Sequence, residues 1–260
     1  MMLPRLYAIV DAEVLRARGV ALGDFARELR DAGVGWVQYR DKVGSPQEVL
    51  RAAAAMREAM AGSGCKLIMN DRADLAVLAG FDGVHVGQGD LSPEDARVVL
   101  RGVNYERDEW GTRVGEAAGE KATHPFAKDA KGWATRIGGE DAKGWATRLS
   151  ALSGGGIVGV STHTEEQVRG TELSGADYVA IGPVFATGTK ADAEAVVGLE
   201  GVRRARALTR KPLVAIGGIT RENARSVMEA GADSVAVISG LFAEGESVER
   251  VARDFLGILG

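Results

Sequence analysis

Cysteine is almost absent from this sequence of 260 residues, in which Cys65 is the single thiol. One cysteine cannot form a disulfide within the chain, so the sequence excludes a small disulfide-stabilised fold. Apolar runs are also short, and none approaches the roughly 20 residues that a membrane-spanning helix needs. The first residues, Met1 to Arg5, lack the basic flank and the apolar length of a signal peptide. We therefore expect a soluble, cytoplasmic protein.

A strong net charge is lacking as well. The 32 basic and 36 acidic residues give a formal charge of -4 and a pI of about 5.6. A chain with this balance has no overall basic field that would attract nucleic acid or an anionic membrane, so neither is an expected partner. If the substrate is a small anion, local charges must hold it.

Two common signatures of catalysis are missing. The three histidines, His85, His124 and His163, do not show the His-x-x-x-His or Glu-x-x-His spacing of a metal-binding helix, so we do not expect them to bind zinc. No Gly-x-Ser-x-Gly motif is present, which argues against a nucleophile elbow. His163 lies close to Ser161 and is a candidate either for acid–base catalysis or for a supporting hydrogen bond.

What the sequence does contain is a regular series of short apolar segments. Their uninterrupted apolar character is typical of strands that are buried on both faces of a parallel sheet. The predicted strands are residues 6–10, 36–39, 67–69, 84–86, 157–160, 178–181, 213–216 and 235–238. Between these segments apolar residues recur at helical spacing, and residues 45–48 and 164–167 form capping-box sequences at helix starts.

Eight strands that alternate with helices suit a closed barrel or an open doubly wound sheet. The strand count favours the barrel, as does the absence of a Gly-x-Gly-x-x-Gly motif after the first strand. We predict an α/β fold, a (β/α)8 TIM barrel that forms a single domain over residues 1–260. In such a barrel the active site lies at the carboxyl ends of the strands.

Residues 101–156 interrupt this regular pattern. They have little apolar periodicity and contain the octapeptide DAKGWATR twice, at 129–136 and 141–148. A segment of this length without predicted elements is unusual inside a compact domain. We predict an insertion between the fourth helix and the fifth strand. It is either a mobile surface excursion enlarged by a local duplication or a docking element that uses Trp133 and Trp145.

Polar side chains follow the second, third and fourth predicted strands. Alternation places Gln38, Arg40 and Lys42 on one side of the second strand, and together they could grip a diphosphate, although a solvated strand end could carry the same residues. Asp71 and Asp90 follow the next two strands. Two carboxylates without a Cys or His cluster favour Mg²⁺ over Zn²⁺, although either aspartate could instead cap a helix.

The last three strands end in residues suited to binding a phosphate group. Thr187, Thr189 and Lys190 follow the sixth strand and can all donate hydrogen bonds to phosphate oxygens. The seventh strand ends at Gly217-Gly218 and the eighth at Ile238-Ser239, where backbone N–H groups can approach an anion. A Gly-Gly turn is common for steric reasons alone, so this pair is weak support by itself.

Taken together, these segments resemble one family, thiamine phosphate synthase. The resemblance covers nearly the whole chain outside the insertion, in the same order and at similar spacing. The matching strings are LYAIVD at 6–11, VQYRDK at 37–42, ND at 70–71, GVHVGQGDL at 83–91, GVSTHT at 159–164, ADYVAIGPVFATGTK at 176–190, AIGGI at 215–219 and AVIS at 236–239.

The resemblance implies a set of site residues for a reaction between a pyrimidine diphosphate and a thiazole phosphate. It implies Mg²⁺ ligands at Asp71 and Asp90, and catalytic roles for Arg40, Lys42, Ser161 and Lys190. Of these, Arg40, Lys42 and Lys190 would stabilise the leaving pyrophosphate. The implied pyrimidine-diphosphate contacts are Gln38, Tyr39, Arg40, Asp41, Lys42, Asn70, Ser161 and Lys190. The implied thiazole-phosphate contacts are Thr187, Gly188, Thr189, Gly218, Ile238 and Ser239.

The sequence departs from the family pattern in three places. The insertion stands where the family has a short connection, Tyr39 replaces an aliphatic residue, and Gly188 stands where the family often has proline. Two other functions are compatible with part of this pattern: a related thiazole tautomerase in which His163 would act as acid and base, and a thiamine-phosphate binding protein without activity. The charged residues at the diphosphate positions argue against both. The sequence leaves open whether the chain forms a homo-oligomer.

Overall fold

A computed structural model describes residues 3–101, 156–188 and 195–260. Within these residues eight parallel strands form a closed barrel in sequence order, each pairing with the next and β8 pairing with β1. The predicted (β/α)8 barrel is therefore confirmed. The strands are β1 Leu6–Asp11, β2 Trp36–Arg40, β3 Lys66–Asn70, β4 Gly83–Val86, β5 Ile157–Thr162, β6 Tyr178–Ile181, β7 Leu213–Ile216 and β8 Ser234–Val237.

Helices follow the strands and form the outer layer of the barrel. In the described residues they are α1 Ala12–Arg18, α2 Leu22–Ala32, α3 Pro46–Ala59, α4 Ala73–Ala79, α5 Pro93–Leu100, α6 Glu165–Glu172, α7 Gly198–Leu208, α8 Ala224–Glu229 and α9 Val248–Leu259, with a short 3-10 turn at Ser239–Leu241. None of these helices is long and apolar enough to cross a membrane.

The predicted capping sequences form at both expected helix starts. The Ser45 hydroxyl accepts a hydrogen bond from the backbone of Glu48, and the Glu48 carboxylate accepts one from the backbone of Ser45. Thr164 and Gln167 make the same reciprocal pair at the start of α6. These bonds satisfy backbone donors that have no partner within the helix, and they fix the residue at which each helix begins.

The strands are buried on both faces, which explains their continuous apolar sequences. Leu6, Ala8 and Val10 of β1 pack under the helices, whereas Tyr7 and Ile9 face the barrel interior. Although aromatic residues are only 5% of the chain, three of them meet inside the barrel. The ring centres of Tyr7, Trp36 and Tyr178 lie 5.6 to 6.1 Å apart in edge-to-face pairs, and they fill the interior below the strand ends.

The connection from α5 to β5 leaves and re-enters the barrel at the amino-terminal ends of the strands. Ile157, the first residue of β5, pairs with Gly83, the first residue of β4. Arg97 of α5 donates a hydrogen bond to the carbonyl of Gly156 at 3.1 Å, which ties the two ends of the connection together. Residues 102–155, which contain the duplicated octapeptide, lie outside the described residues. Both interpretations of this segment therefore stay predictions.

Candidate active site

Two adjoining pockets open at the carboxyl ends of the strands. The first, here called the polar pocket, is lined by residues of all eight strands and has charged side chains at the ends of β2 to β4. The second, here called the glycine pocket, lies over β5 to β8 and includes Gly217 and Gly218. Ser161 and His163 contact both pockets, so a molecule in one would lie next to a molecule in the other.

Alternate residues of β2 and its following turn line the polar pocket. Gln38 is 3% exposed, whereas the side chain of Arg40 is 13% exposed and that of Lys42 is 46% exposed. The three therefore form a series from the buried floor of the pocket to its mouth. An amide at the floor and two cations above it suit a ligand whose anionic end faces solvent.

Tyr39 and Asp41, which the resemblance placed among the substrate contacts, do not line this pocket. Strand alternation turns Tyr39 toward the helix layer, where its hydroxyl donates to Asp41 at 3.3 Å. Asp41 accepts hydrogen bonds from the backbone of Val43 and Gly44 and pairs with Arg16. The side chains of Tyr39 and Asp41 therefore fix the turn after β2, and that turn places Lys42.

Arg40 is held by a carboxylate that the sequence analysis gave no role. Asp11, at the end of β1, is buried and forms an ion pair with Arg40. The same Asp11 side chain caps α1 by accepting hydrogen bonds from the backbone of Glu13 and Val14, both at 3.0 Å. One residue thus orients the guanidinium of Arg40 and begins the first helix.

Asp71 and Asp90 come together at the mouth of the polar pocket. Asp71 forms an ion pair with Lys42, and the Asp90 carboxyl lies within hydrogen-bonding reach of Asp71. Asp71 has a positive φ of 61°, and Asp90 accepts a hydrogen bond from the backbone of Gly87 at 2.7 Å. Both side chains are therefore fixed by the loops that carry them.

The donor set at Asp71 and Asp90 fits a hard divalent cation. Burial raises the pKa of Asp71, and the neighbouring Asp90 carboxyl raises it further, while Lys42 lowers it. A cation between the two carboxylates would offset their repulsion. No group of three or more His, Cys, Asp or Glu side chains suited to a metal occurs in the described part of the chain. Two carboxylates with room for water and phosphate oxygens are typical of Mg²⁺.

A hydrogen-bonded chain crosses the barrel beneath the polar pocket. Gln38 Nε2 donates to the Tyr7 hydroxyl at 2.9 Å, and the hydroxyls of Tyr7 and Tyr178 are 3.1 Å apart. The Tyr178 hydroxyl lies 2.9 Å from His85 Nδ1, and His85 Nε2 lies 2.8 Å from Ser161 Oγ. Sequence reasoning missed Tyr7, Tyr178 and His85 as parts of the site. The available signal was a polar group in each of three otherwise apolar strands.

The glycine pocket contains four of the six predicted thiazole-phosphate residues. Thr187, Gly218, Ile238 and Ser239 line it. Gly218 has a φ of 63°, and a Cβ atom there would lie 2.6 Å from the carbonyl oxygen of Ala186, so only glycine allows this close approach of the two loops.

The other predicted residues of this region are placed differently. Gly188 is described but does not line either pocket, and Thr189 and Lys190 lie outside the described residues. Asn70 lines the polar pocket. His163 Nδ1 lies 2.6 Å from the carbonyl of Gly182, so this nitrogen is the donor and Nε2 is the nitrogen available to a ligand.

Comparison with known proteins identifies the family. The model of the family "Thiamine monophosphate synthase" matches residues 6–104 and 124–241. The chain is 42% identical over 259 residues to a thiamine-phosphate synthase of Koribacter versatilis, covering 99% of this chain and 96% of that protein. It is 33% identical to one of Methanoregula boonei, covering 96% and 90%.

A solved structure agrees with these sequence matches. Thiamine phosphate pyrophosphorylase from Pyrococcus furiosus superposes with a TM-score of 0.67 at 25% identity, covering 98% of this chain and 95% of that one. The family model matches well over half of the chain, and the relatives align along almost all of it. The chain therefore belongs to the thiamine monophosphate synthase family of transferases.

Proposed function

We propose that the two pockets bind the two substrates of a thiamine phosphate synthase side by side. The enzyme joins 4-amino-2-methyl-5-(diphosphooxymethyl)pyrimidine to 4-methyl-5-(2-phosphooxyethyl)thiazole and releases pyrophosphate. One observation carries this proposal: the polar pocket has a buried amide at its floor and two cations and two carboxylates at its mouth. That order matches an uncharged ring that enters first, followed by its diphosphate.

The glycine pocket is the proposed site for the thiazole phosphate. Gly217 and Gly218 both have positive φ angles, of 104° and 63°, at the end of β7. This backbone lies beside Ser239, which begins the short turn after β8. Backbone N–H groups and hydroxyls at such a position can bind a phosphate group. The thiazole ring would then face Ser161 and His163, at the border with the polar pocket.

The proposed reaction begins when the pyrimidine's C–O bond breaks. The electron pair leaves with the pyrophosphate, and the positive charge that remains is delocalised over the aminopyrimidine ring. The lone pair of the thiazole nitrogen then forms the new C–N bond. No protein nucleophile takes part in either step. The contribution of the protein is to position both rings and to stabilise charge as it develops on the leaving group.

Arg40 and Lys42 are placed to stabilise that charge, because both line the polar pocket above its buried floor. Asp71 and Asp90 would hold Mg²⁺, which supplies further positive charge to a bound pyrophosphate. Ser161, between the pockets, would donate a hydrogen bond to the pyrimidine diphosphate. Lys190, assigned by resemblance to the same leaving group, stays a prediction.

The direct test is to incubate the purified protein with both substrates, with and without Mg²⁺, and to measure thiamine phosphate and pyrophosphate. We expect both products in equal amounts, and only when Mg²⁺ is present. Isomerisation of a thiazole phosphate without the pyrimidine substrate would indicate a tautomerase instead. Binding of thiamine phosphate with no turnover under any of these conditions would indicate a binding protein.

A further inference from the structure

The hydrogen-bonded chain beneath the polar pocket links five side chains that come from five strands. Tyr7 and Tyr178 are completely buried, and burial raises the pKa of both phenols well above the ordinary value of tyrosine. Both are therefore neutral, and each hydroxyl has one proton to donate. When each group in a row of hydrogen bonds donates one proton to the next, all of the bonds must point the same way along the row.

The amide of Gln38 sets this direction. Its Nε2 donates to the Tyr7 oxygen, and the buried Tyr7 proton is then satisfied by donating to the Tyr178 oxygen. The Tyr178 proton then goes to His85 Nδ1, which must be the unprotonated ring nitrogen. His85 therefore carries its proton on Nε2 and donates it to Ser161 Oγ. The Ser161 proton is left for a partner other than His85.

The two ends of the chain consequently present opposite groups to the pocket. One N–H of Gln38 Nε2 is used inside the chain, which turns Oε1 toward the pocket as the atom that can accept from a ligand at the floor. Ser161 accepts from His85, so its hydroxyl is a donor toward the boundary of the two pockets. If these hydrogen bonds pointed the other way, Gln38 would present a donor to the pocket and Ser161 an acceptor.

We propose that Tyr7, Tyr178 and His85 are positioning residues that fix Gln38 as an acceptor and Ser161 as a donor, so that the pocket selects 4-aminopyrimidines over 4-oxopyrimidines. This selectivity rests on the proposed function, in which the ring lies at the buried floor and the diphosphate at the mouth. A 4-amino group donates to Gln38 Oε1, whereas a 4-oxo group would place two acceptors against each other.

Tyr178 is the residue at which this proposal can be tested without touching the ligand. It links Tyr7 to His85 but does not line the polar pocket. Its ring lies over Gly159 of β5, where an added Cβ atom would come within 2.0 Å of the ring. The Tyr178→Phe variant keeps the ring over Gly159 and removes only the hydroxyl that connects the two halves of the chain.

The first measurement is the tautomer of His85, by ¹⁵N nuclear magnetic resonance on the ligand-free wild-type protein. The His85 signals can be assigned from their absence in a His85→Gln variant. We expect a proton on Nε2 and none on Nδ1 at neutral pH. A proton on Nδ1, alone or together with one on Nε2, would reverse the direction between His85 and Gln38 and overturn the proposal. This result does not depend on any substrate.

The second measurement compares kcat/KM for the 4-amino substrate with kcat/KM for its 4-oxo analogue. The wild-type enzyme should prefer the amino compound by at least about 100-fold, because the wrong group leaves buried polar atoms unpaired. The 4-oxo ring also stabilises the cation less, but this effect is the same in wild type and variant and cancels when their preferences are compared. In Tyr178→Phe the Tyr7 hydroxyl loses its acceptor. The Gln38 amide can then rotate, so that Oε1 accepts from the Tyr7 hydroxyl and Nε2 faces the pocket. We therefore expect the preference to fall by at least about tenfold.

Ser234→Ala is the matched control, because it also removes a buried hydroxyl from a barrel strand, at the opposite end of the barrel. Its amino-to-oxo preference should equal that of the wild type.

Equal losses of activity on both substrates in Tyr178→Phe would show a merely structural role and overturn the proposal. If Tyr178→Phe does not fold, the His85 tautomer of the wild-type protein decides the proposal by itself. A wild-type enzyme that forms no thiamine phosphate would refute the proposed function, while the His85 tautomer would still decide the chain's direction.

Discussion

On β2, a step of one residue moves a side chain from the pocket to the helix layer. Gln38 and Arg40 face the pocket, whereas Tyr39 and Asp41 face away from it. A motif string such as VQYRDK does not make this distinction, because it names neighbours on both faces. Strand alternation does make it. It predicted the placement of Gln38, Arg40 and Lys42, while the resemblance alone added two side chains that do not line the pocket.

At Asp71 and Asp90, replacement by asparagine tests the metal site. Asparagine keeps the size of the side chain, and it tolerates the positive φ that the structure shows at position 71. It removes one charged oxygen ligand. We expect Asp71→Asn and Asp90→Asn to lower kcat by about 100-fold or more with little change in thermal stability, since the lost charge acts on the leaving group.

Asp74→Asn provides the control for these variants. Asp74 lies in the first turn of α4, close in sequence to Asp71, and it pairs with Arg72 on the surface. This variant should have the activity of the wild type. The measurement is kcat as a function of Mg²⁺ concentration. Near-normal turnover by Asp90→Asn at limiting Mg²⁺ would contradict the assignment of the carboxylates.

Among the elements, the strands were predicted well and their ends were not. β1, β2 and β5 each continue beyond the predicted apolar segment, to Asp11, Arg40 and Thr162. Apolar pattern defines a strand only while both faces are buried. In a barrel the last residues of a strand reach the active site, so they are polar there although they still pair with the neighbouring strand.

The junction between β1 and α1 depends on Asp11, which caps the helix and holds Arg40. Asp11→Asn keeps a good capping side chain but removes the charge, whereas Asp11→Ala removes both. We expect Asp11→Ala to be less stable than Asp11→Asn by about 1 kcal/mol, the usual value of a helix cap. Chemical denaturation of the two variants measures this difference.

Activity should not distinguish the same two variants. Arg40 loses its ion-pair partner in both, and misplacement of such a group by about 1 Å can lower kcat/KM by up to about 100-fold. We expect a loss of about 10-fold to 100-fold, equal in Asp11→Asn and Asp11→Ala. A loss confined to the alanine variant would show that the cap matters for catalysis and the ion pair does not.

For the molecule as a whole, barrel closure creates contacts that no local pattern predicts. Tyr7 and Tyr178 are 171 residues apart in sequence, and their hydroxyls meet because β1 and β6 face each other across the interior. The sequence predicted eight strands and a site at their carboxyl ends, since both follow from local pattern and from the general properties of barrels. It did not predict which strand residues meet inside, because that depends on the register of all eight strands.

The same geometry places both ends of the segment after α5 away from the site. The described residues on either side of it, Arg101 and Gly156, lie at the amino-terminal ends of the strands, and Asp71 and Asp90 lie at the carboxyl ends. We expect that replacing residues 104–153 with a short Gly/Ser linker leaves kcat/KM within about threefold of the full chain. A threefold change corresponds to well under about 1 kcal/mol of transition-state stabilisation. Steady-state kinetics with both substrates, at equal concentrations of folded protein, measure it. If the shortened protein folds normally and loses tenfold or more of its activity, the segment contributes to the active site, from its own barrel or from a second copy of the chain.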